Sequence, residues 1–124
     1  MANAFSTIIK SEYPNAASIS GVATGGIAQG ALVAEQMRLP MTYVRSSAKG
    51  HGRQNQVEGV VKQGEETVVI EDLISTGGSS LKAVEALRET GAKVSGLVAI
   101  FNYGFKKITE AFKIAYVPFK TLTN

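Results

Sequence analysis

Glu71 and Asp72 are adjacent carboxylates at the end of the apolar run Thr67-Val68-Val69-Ile70, and Leu73-Ile74-Ser75-Thr76-Gly77-Gly78-Ser79 follows directly. The pattern reads as a buried strand, two acids at its C-terminal end, then a hydroxyl- and glycine-rich turn that opens a helix. Such a turn has what a phosphate needs. It offers backbone N–H groups at a helix N-terminus and the hydroxyls of Ser75, Thr76 and Ser79, while Gly77 and Gly78 have no side chain to bar close approach. Carboxylates beside a phosphate repel it, so the acids make sense only if they face something else. Sugar hydroxyls, a bound metal or positive charge developing during reaction would serve. A Gly-Gly pair alone needs no more than a tight turn, with Glu71-Asp72 capping the next segment. Strand, acids and hydroxyls in one register point instead to a phosphate site.

A second glycine turn, Gly21-Val22-Ala23-Thr24-Gly25-Gly26, also joins an extended run to a helical one. It matches neither G-x-G-x-x-G nor G-x-x-x-x-G-K-[ST], so a plain strand–helix turn and a second anion site both remain open. Two such turns on one sheet edge would suit a ligand with two separate phosphate groups. A third segment, Arg45-Ser46-Ser47-Ala48-Lys49-Gly50-His51-Gly52-Arg53, holds four basic or imidazole side chains and no acid. Read alone it is a solvated loop. Its small residues and cations also fit a lid that closes over an anion. His51 is the sole histidine, which excludes a histidine-cluster metal site. Together the three segments describe a site for a sugar phosphorylated at both ends. No Ser/His/Asp order, paired-carboxylate hydrolase pattern or aromatic–basic interleaving competes with it.

These segments must be held by a scaffold, and the periodicity supplies one. Phe5, Ile8 and Ile9 share a face of an opening helix, and Pro14-Asn15 turns into an extended Ser18–Val22. A helix is expected from about Ile27 to Met37, stopped at Leu39-Pro40, then a β-type run over Met41–Arg45. Val57–Val61 and Thr67–Ile70 read as strands joined by a turn at Gln63-Gly64. A helix after Gly77-Gly78 turns Leu81, Val84 and Leu87 inward and ends at Gly91. Val94–Phe101 reads as a long strand, Phe105–Phe112 as a last helix and Ile114–Phe119 as a last strand. Strands alternating with helices argue for an α/β fold, a mainly parallel sheet flanked by helices, with loops gathered along one edge where such folds bind ligands.

The chain of 124 residues has room for one domain, expected over 1–124, and a chain of this size buries roughly two-thirds of its unfolded surface. With no cysteine, disulfides, zinc–thiolate sites and thiol catalysis are excluded. The 44% hydrophobic and 19% charged residues are globular values rather than those of a disordered chain. The short apolar runs and the absence of a signal-peptide layout at Met1–Phe5 predict a cytoplasmic protein without membrane association. The net charge of +3 is slight and its placement matters more than its sum. The basic Arg45–Arg53 segment could meet a phosphorylated small molecule or a nucleic acid backbone, and the small molecule is the partner expected, with no nucleic acid.

At this point the sequence resembles the type I phosphoribosyltransferases. Val68–Ser79 is similar to that family's signature for 5-phosphoribosyl 1-diphosphate: apolar residues, two acids, two spacers and a Thr-Gly-Gly type turn. Tyr43-Val44-Arg45, Lys49-Gly50-His51-Gly52, Asn55-Gln56-Val57-Glu58-Gly59, Gly21–Ile27 and the closing Thr121-Leu122-Thr123-Asn124 resemble the orotate branch. The resemblance implies transfer of phosphoribosyl to orotate, giving orotidine 5'-phosphate and pyrophosphate in pyrimidine biosynthesis, with Mg2+ on the sugar diphosphate. It implies that Ser75, Thr76, Gly77, Gly78 and Ser79 hold the 5-phosphate, with Ser75 also touching orotate. Ala23, Thr24 and Gly25 would line the diphosphate. Glu71 and Asp72 would face the ribose hydroxyls and the water shell of the metal, which no residue binds directly. Arg45, Lys49 and His51 would belong to a lid reaching the neighbouring subunit of a homodimer. Lys49, His51, Glu71 and Asp72 are thus the catalytic candidates.

Three features depart from that pattern. Ser46 stands where many members have a lysine, and Phe101-Asn102-Tyr103 where some have an arginine that reads the orotate carboxylate. The segment that forms a hood over the base has no counterpart before Met1, nor has the helix usually following the closing Leu-Thr-Asn, so the chain reads as the core of the enzyme. Alternatives are a phosphoribosyltransferase for another base, such as a purine, and a non-catalytic regulator of the same fold. The lid residues argue against the first, and the retained acids and Lys49 against the second.

Overall fold

The computed structural model describes residues 2–23, 25–45, 56–59, 62–74, 78–102, 110, 112–114 and 117–123. The chain opens with helix α1 (Ala2–Glu12), whose Phe5 and Ile9, one turn apart, are fully buried. The Tyr13 N–H donates to the Ile9 carbonyl at 2.7 Å, and Pro14 then ends the helix. Strand β1 (Ser18–Val22) leads into helix α2 (Gly25–Met37), which buries Gly26, Gly30, Val33 and Ala34 along one stripe. Arg38 closes α2 in the left-handed region at φ 57°. Its N–H donates to Glu35 at 3.2 Å and that of Leu39 to Ala34 at 2.9 Å, a Schellman closure with Pro40 just beyond.

Strands β2 (Met41–Val44), β3 (Val57–Glu58) and β4 (Glu66–Ile74) follow, then helix α3 (Gly78–Glu89), strand β5 (Lys93–Asn102) and strand β6 (Phe119–Thr123). They form one sheet in the order β3-β2-β1-β4-β5-β6, parallel throughout except for the β2–β3 pair. Helices α1 and α2 cover one face. There Phe5, Ile9, Val33 and Ala34 pack on Ile19, Val68, Ile70 and Val98. Helix α3 covers the other, where Ala83, Val84, Ala86 and Leu87 meet Val22, Val44, Val69, Leu97 and Ala99. The mainly parallel, helix-covered sheet expected from the sequence is what forms.

Two strands differ from expectation. Val57 and Glu58 pair antiparallel with Val44 and Tyr43 at the sheet edge and make no pair with β4. Gly59, at φ 108° with its Cα side against Thr42, ends that strand at two residues. The last strand begins at Phe119 rather than running over Ile114–Phe119. Val117 N–H is taken by the Phe112 carbonyl at 2.9 Å and Pro118 has no N–H to give, so ladder pairing starts only where Leu97 N–H reaches the Pro118 carbonyl at 2.9 Å. Phe112 is buried and packs edge-on against Phe119, with ring centroids 4.8 Å apart. The rest of the expected Phe105–Phe112 helix lies largely outside the described residues.

Candidate active site

The strand order reverses between β1 and β4, and in open α/β sheets ligands bind beyond the carboxyl ends of strands at such a point. β1 and β4 end on that side, and α2 and α3 are the elements that follow them in the chain. β1 pairs with β4 only as far as Gly21↔Ile70, whereas β4 continues to Ile74 beside β5. Glu71 and Asp72 therefore lie within a strand that projects past its neighbour and runs on to Ile74, beyond the Thr67–Ile70 expected.

Alternation along that strand sends the two acids to opposite faces. Val69 belongs to the α3-side core and Ile70 to the α2-side core, so Glu71 faces α3 and Asp72 faces α2. Glu71 is buried, at 5% exposure; its Oε2 accepts the Ser80 hydroxyl at 3.0 Å and its Oε1 the Asp72 backbone N–H at 3.1 Å. Burial pushes the Glu71 carboxyl up to about 7, the neighbouring Asp72 adds to the rise, and the Ser80 and backbone hydrogen bonds oppose it. Asp72 is half-buried, and its carboxylate occupies the space a Cβ on Gly25 would enter. Gly25 is the first residue of α2, where exposed N–H groups favour negative charge. Behind it, a Cβ on Gly26 would strike the Ile70 carbonyl, so α2 meets β4 nearly backbone to backbone.

Arg45 leaves the same edge. Ala23 N–H donates to the Val44 carbonyl at 2.8 Å, which joins the β1 turn to the end of β2. The Arg45 N–H donates to the Gln56 carbonyl at 2.7 Å, Gln56 Nε2 donates to the Arg45 carbonyl at 3.2 Å, and the Arg45 guanidinium pairs with Glu58 at 2.6 Å. Ala23, Gly25, Arg45, Glu71 and Asp72 thus stand along one edge, with Gly78 and Ser79 opening α3 beside them. Thr24, Lys49, His51, Ser75, Thr76 and Gly77 lie outside the described residues. Ser80, Gln56 and Glu58 were not among the expected site residues. Ser80 could have been suspected as a hydroxyl on the first helical turn after the acids.

No group of three or more metal-ligating side chains exists among the described residues. Mg2+ usually keeps several waters and is bound by substrate phosphates, and the Asp72 carboxylate at this edge fits a place beside such a water shell.

Residues 4–121 match the family described as phosphoribosyl transferase domain. The chain belongs to this family. Within it, the chain is 56% identical over 117 residues to an orotate phosphoribosyltransferase of Staphylococcus aureus, covering 94% of this chain and 58% of that protein. The chain therefore spans somewhat over half the length of that relative. Among solved structures it is similar to an orotate phosphoribosyltransferase from Aeropyrum pernix, with a TM-score of 0.83 and 29% identity over 98% of this chain and 70% of that one. An adenine phosphoribosyltransferase from Leishmania donovani has the same fold, with a TM-score of 0.78 and 19% identity over 98% of this chain and 62% of that one. The phosphoribosyl transferase fold is thus shared between proteins named for different bases. No helix among the described residues is long and apolar enough to cross a membrane.

Proposed function

We propose that this chain is the 5-phosphoribosyl 1-diphosphate-binding core of an orotate phosphoribosyltransferase. The observation that carries the reading is the 56% identity to the staphylococcal orotate enzyme across 94% of the chain. The pairing of two strand–helix turns with a carboxylate at the β1–β4 junction supports it.

The Ser75–Ser79 turn would take the 5-phosphate, and Ala23-Thr24-Gly25 the diphosphate. The ribose then spans the gap between them, beside Asp72 and Glu71. In the transfer the bond from C1 of the ribose to the diphosphate oxygen breaks, and C1 bonds to a ring nitrogen of orotate. Positive charge grows on the sugar and negative charge on the departing pyrophosphate. The acids offset the first; Arg45, Lys49 and His51 offset the second. Groups already oriented toward developing charge are worth about 3–4 kcal/mol of barrier each. Bound Mg2+ would neutralise diphosphate charge, with Asp72 and Glu71 near its water shell. A closing lid from Arg45 to Arg53, shared across a homodimer, would keep water from the sugar cation. A cytoplasmic setting suits a cysteine-free chain.

Calorimetric titration with magnesium 5-phosphoribosyl 1-diphosphate, followed by orotate with its absorbance monitored, tests the reading. Diphosphate binding and loss of orotate absorbance are expected, with no turnover of adenine. A folded chain that binds no diphosphate, or one that consumes adenine in place of orotate, would overturn it.

A further inference from the structure

Ser80 stands on the first turn of α3, the helix that opens at Gly78. It is 2% exposed, and its hydroxyl donates to Glu71 Oε2 at 3.0 Å. A carboxylate as far from water as that of Glu71 is costly to keep unless its oxygens are bonded. The Asp72 backbone N–H reaches Oε1 and the Ser80 hydroxyl Oε2, and these two bonds differ in kind. The Asp72 N–H belongs to the neighbouring residue and moves with β4. The Ser80 hydroxyl belongs to a different element, so this contact fixes the acid relative to the helix.

That relation matters because of the ligand's own geometry. A phosphoribosyl group is a short, stiff unit with its phosphate at one end and the reacting C1 at the other. If the α3 end holds the phosphate and the β4 acids face the ring, the distance between α3 and Glu71 must match the sugar. We propose that Ser80 is a positioning residue for phosphoribosyl transfer, locking the Glu71 carboxylate to the first turn of α3 and so fixing the acid at one distance from the start of that helix. The proposal rests on the phosphoribosyl-transfer reading and deepens it.

The test is calorimetric binding of magnesium 5-phosphoribosyl 1-diphosphate to the full chain and to Ser80→Ala, Ser80→Thr, Glu71→Gln and the Ser80→Ala/Glu71→Gln double variant. At about pH 8, where the Glu71 carboxyl is ionised, loss of a hydrogen bond to a charged group predicts about tenfold weaker binding for Ser80→Ala. Ser80→Thr, which keeps the hydroxyl, should recover most of that loss. The double variant should fall well short of the product of the two single losses, because the hydroxyl acts through the carboxylate. A purely structural serine would lower the melting temperature yet give multiplicative losses. Multiplicative losses, or native binding by Ser80→Ala, overturn the positioning role and leave the transfer reading standing. Absence of binding by the folded native chain overturns both. Should Ser80→Ala not fold, Ser80→Cys replaces it, since a thiol has similar size and is a weak donor.

Discussion

The carboxylate of Asp72 lies where a side chain on Gly25 would begin. Asp72 lies within β4 and Gly25 opens α2, far apart in sequence, and the two meet because β1 and β4 are neighbours. The contact ties the placement of the Asp72 carboxylate to the absence of a side chain at Gly25. Its successor is held for another reason, since a Cβ on Gly26 would meet the backbone carbonyl of Ile70.

The adjacent glycines should therefore respond differently to alanine. In Gly25→Ala the Asp72 side chain can swing aside, so melting temperature should change little while affinity for magnesium 5-phosphoribosyl 1-diphosphate falls about tenfold or more, as expected when a placed charge is lost. In Gly26→Ala the helix must retreat from β4, at a cost of about 1–3 kcal/mol in urea unfolding. Equal effects of both variants on stability and binding would refute the distinction.

Glu71 should make stability depend on pH. An unfolded glutamate ionises near 4.5, whereas the folded one holds its proton to about 7. Between those values the folded chain binds more protons, so its stability declines as pH rises and levels off above about 7, by on the order of 3 kcal/mol in all. Urea unfolding of the native chain and of Glu71→Gln at about pH 5 and about pH 8 measures this. The native chain should lose stability relative to the variant at the higher pH, and parallel behaviour would refute the assignment.

The pair formed by Arg45 and Glu58 at 2.6 Å is partly open to solvent. Such pairs contribute about 0.2–1 kcal/mol, so Glu58→Gln should barely shift unfolding. If Arg45 serves the diphosphate, the same change frees the guanidinium, and affinity for inorganic pyrophosphate should rise severalfold at low salt. Weaker pyrophosphate binding would show that Glu58 orients Arg45 rather than competing for it.

Arg38 offers a prediction independent of function. A side chain in the left-handed region at the close of a helix is strained, and glycine relieves it. Arg38→Gly should raise stability by about 0.5–1 kcal/mol, the greater freedom of glycine in the unfolded chain offsetting part of the gain. A fall in the urea midpoint would argue that the Arg38 side chain makes a compensating contact.

Much of the scaffold was legible because apolar period and punctuation coincide. Phe5 and Ile9, Leu39-Pro40 and Gly91 mark their elements through local rules, and the structure follows them. Val57–Glu58 was legible as extended but not as an antiparallel edge, because pairing partners are a tertiary property. Phe119–Thr123 was misplaced because an apolar run around Val117 looked like a strand, while Pro118 and the Phe112 carbonyl decide where pairing can start. In the site, the adjacency of Glu71 and Asp72 was visible, but not that a strand continuing to Ile74 turns them to opposite faces. The partners Ser80 and Glu58 are set by packing, and single-residue types do not reveal them.

The junction of β1 and β4 also governs how the chain can assemble. Thr67 bonds the Ser18 carbonyl across 49 positions, so a long loop must close before the central contact repays its entropy. A chain that has formed α1 and the first β–α–β unit holds the β1 turn but not yet the acids that would face it. Capacity to bind the sugar diphosphate should accordingly emerge with the slowest refolding phase, and the ligand would then act as a trap for the last closure of the sheet rather than as a seed for early collapse.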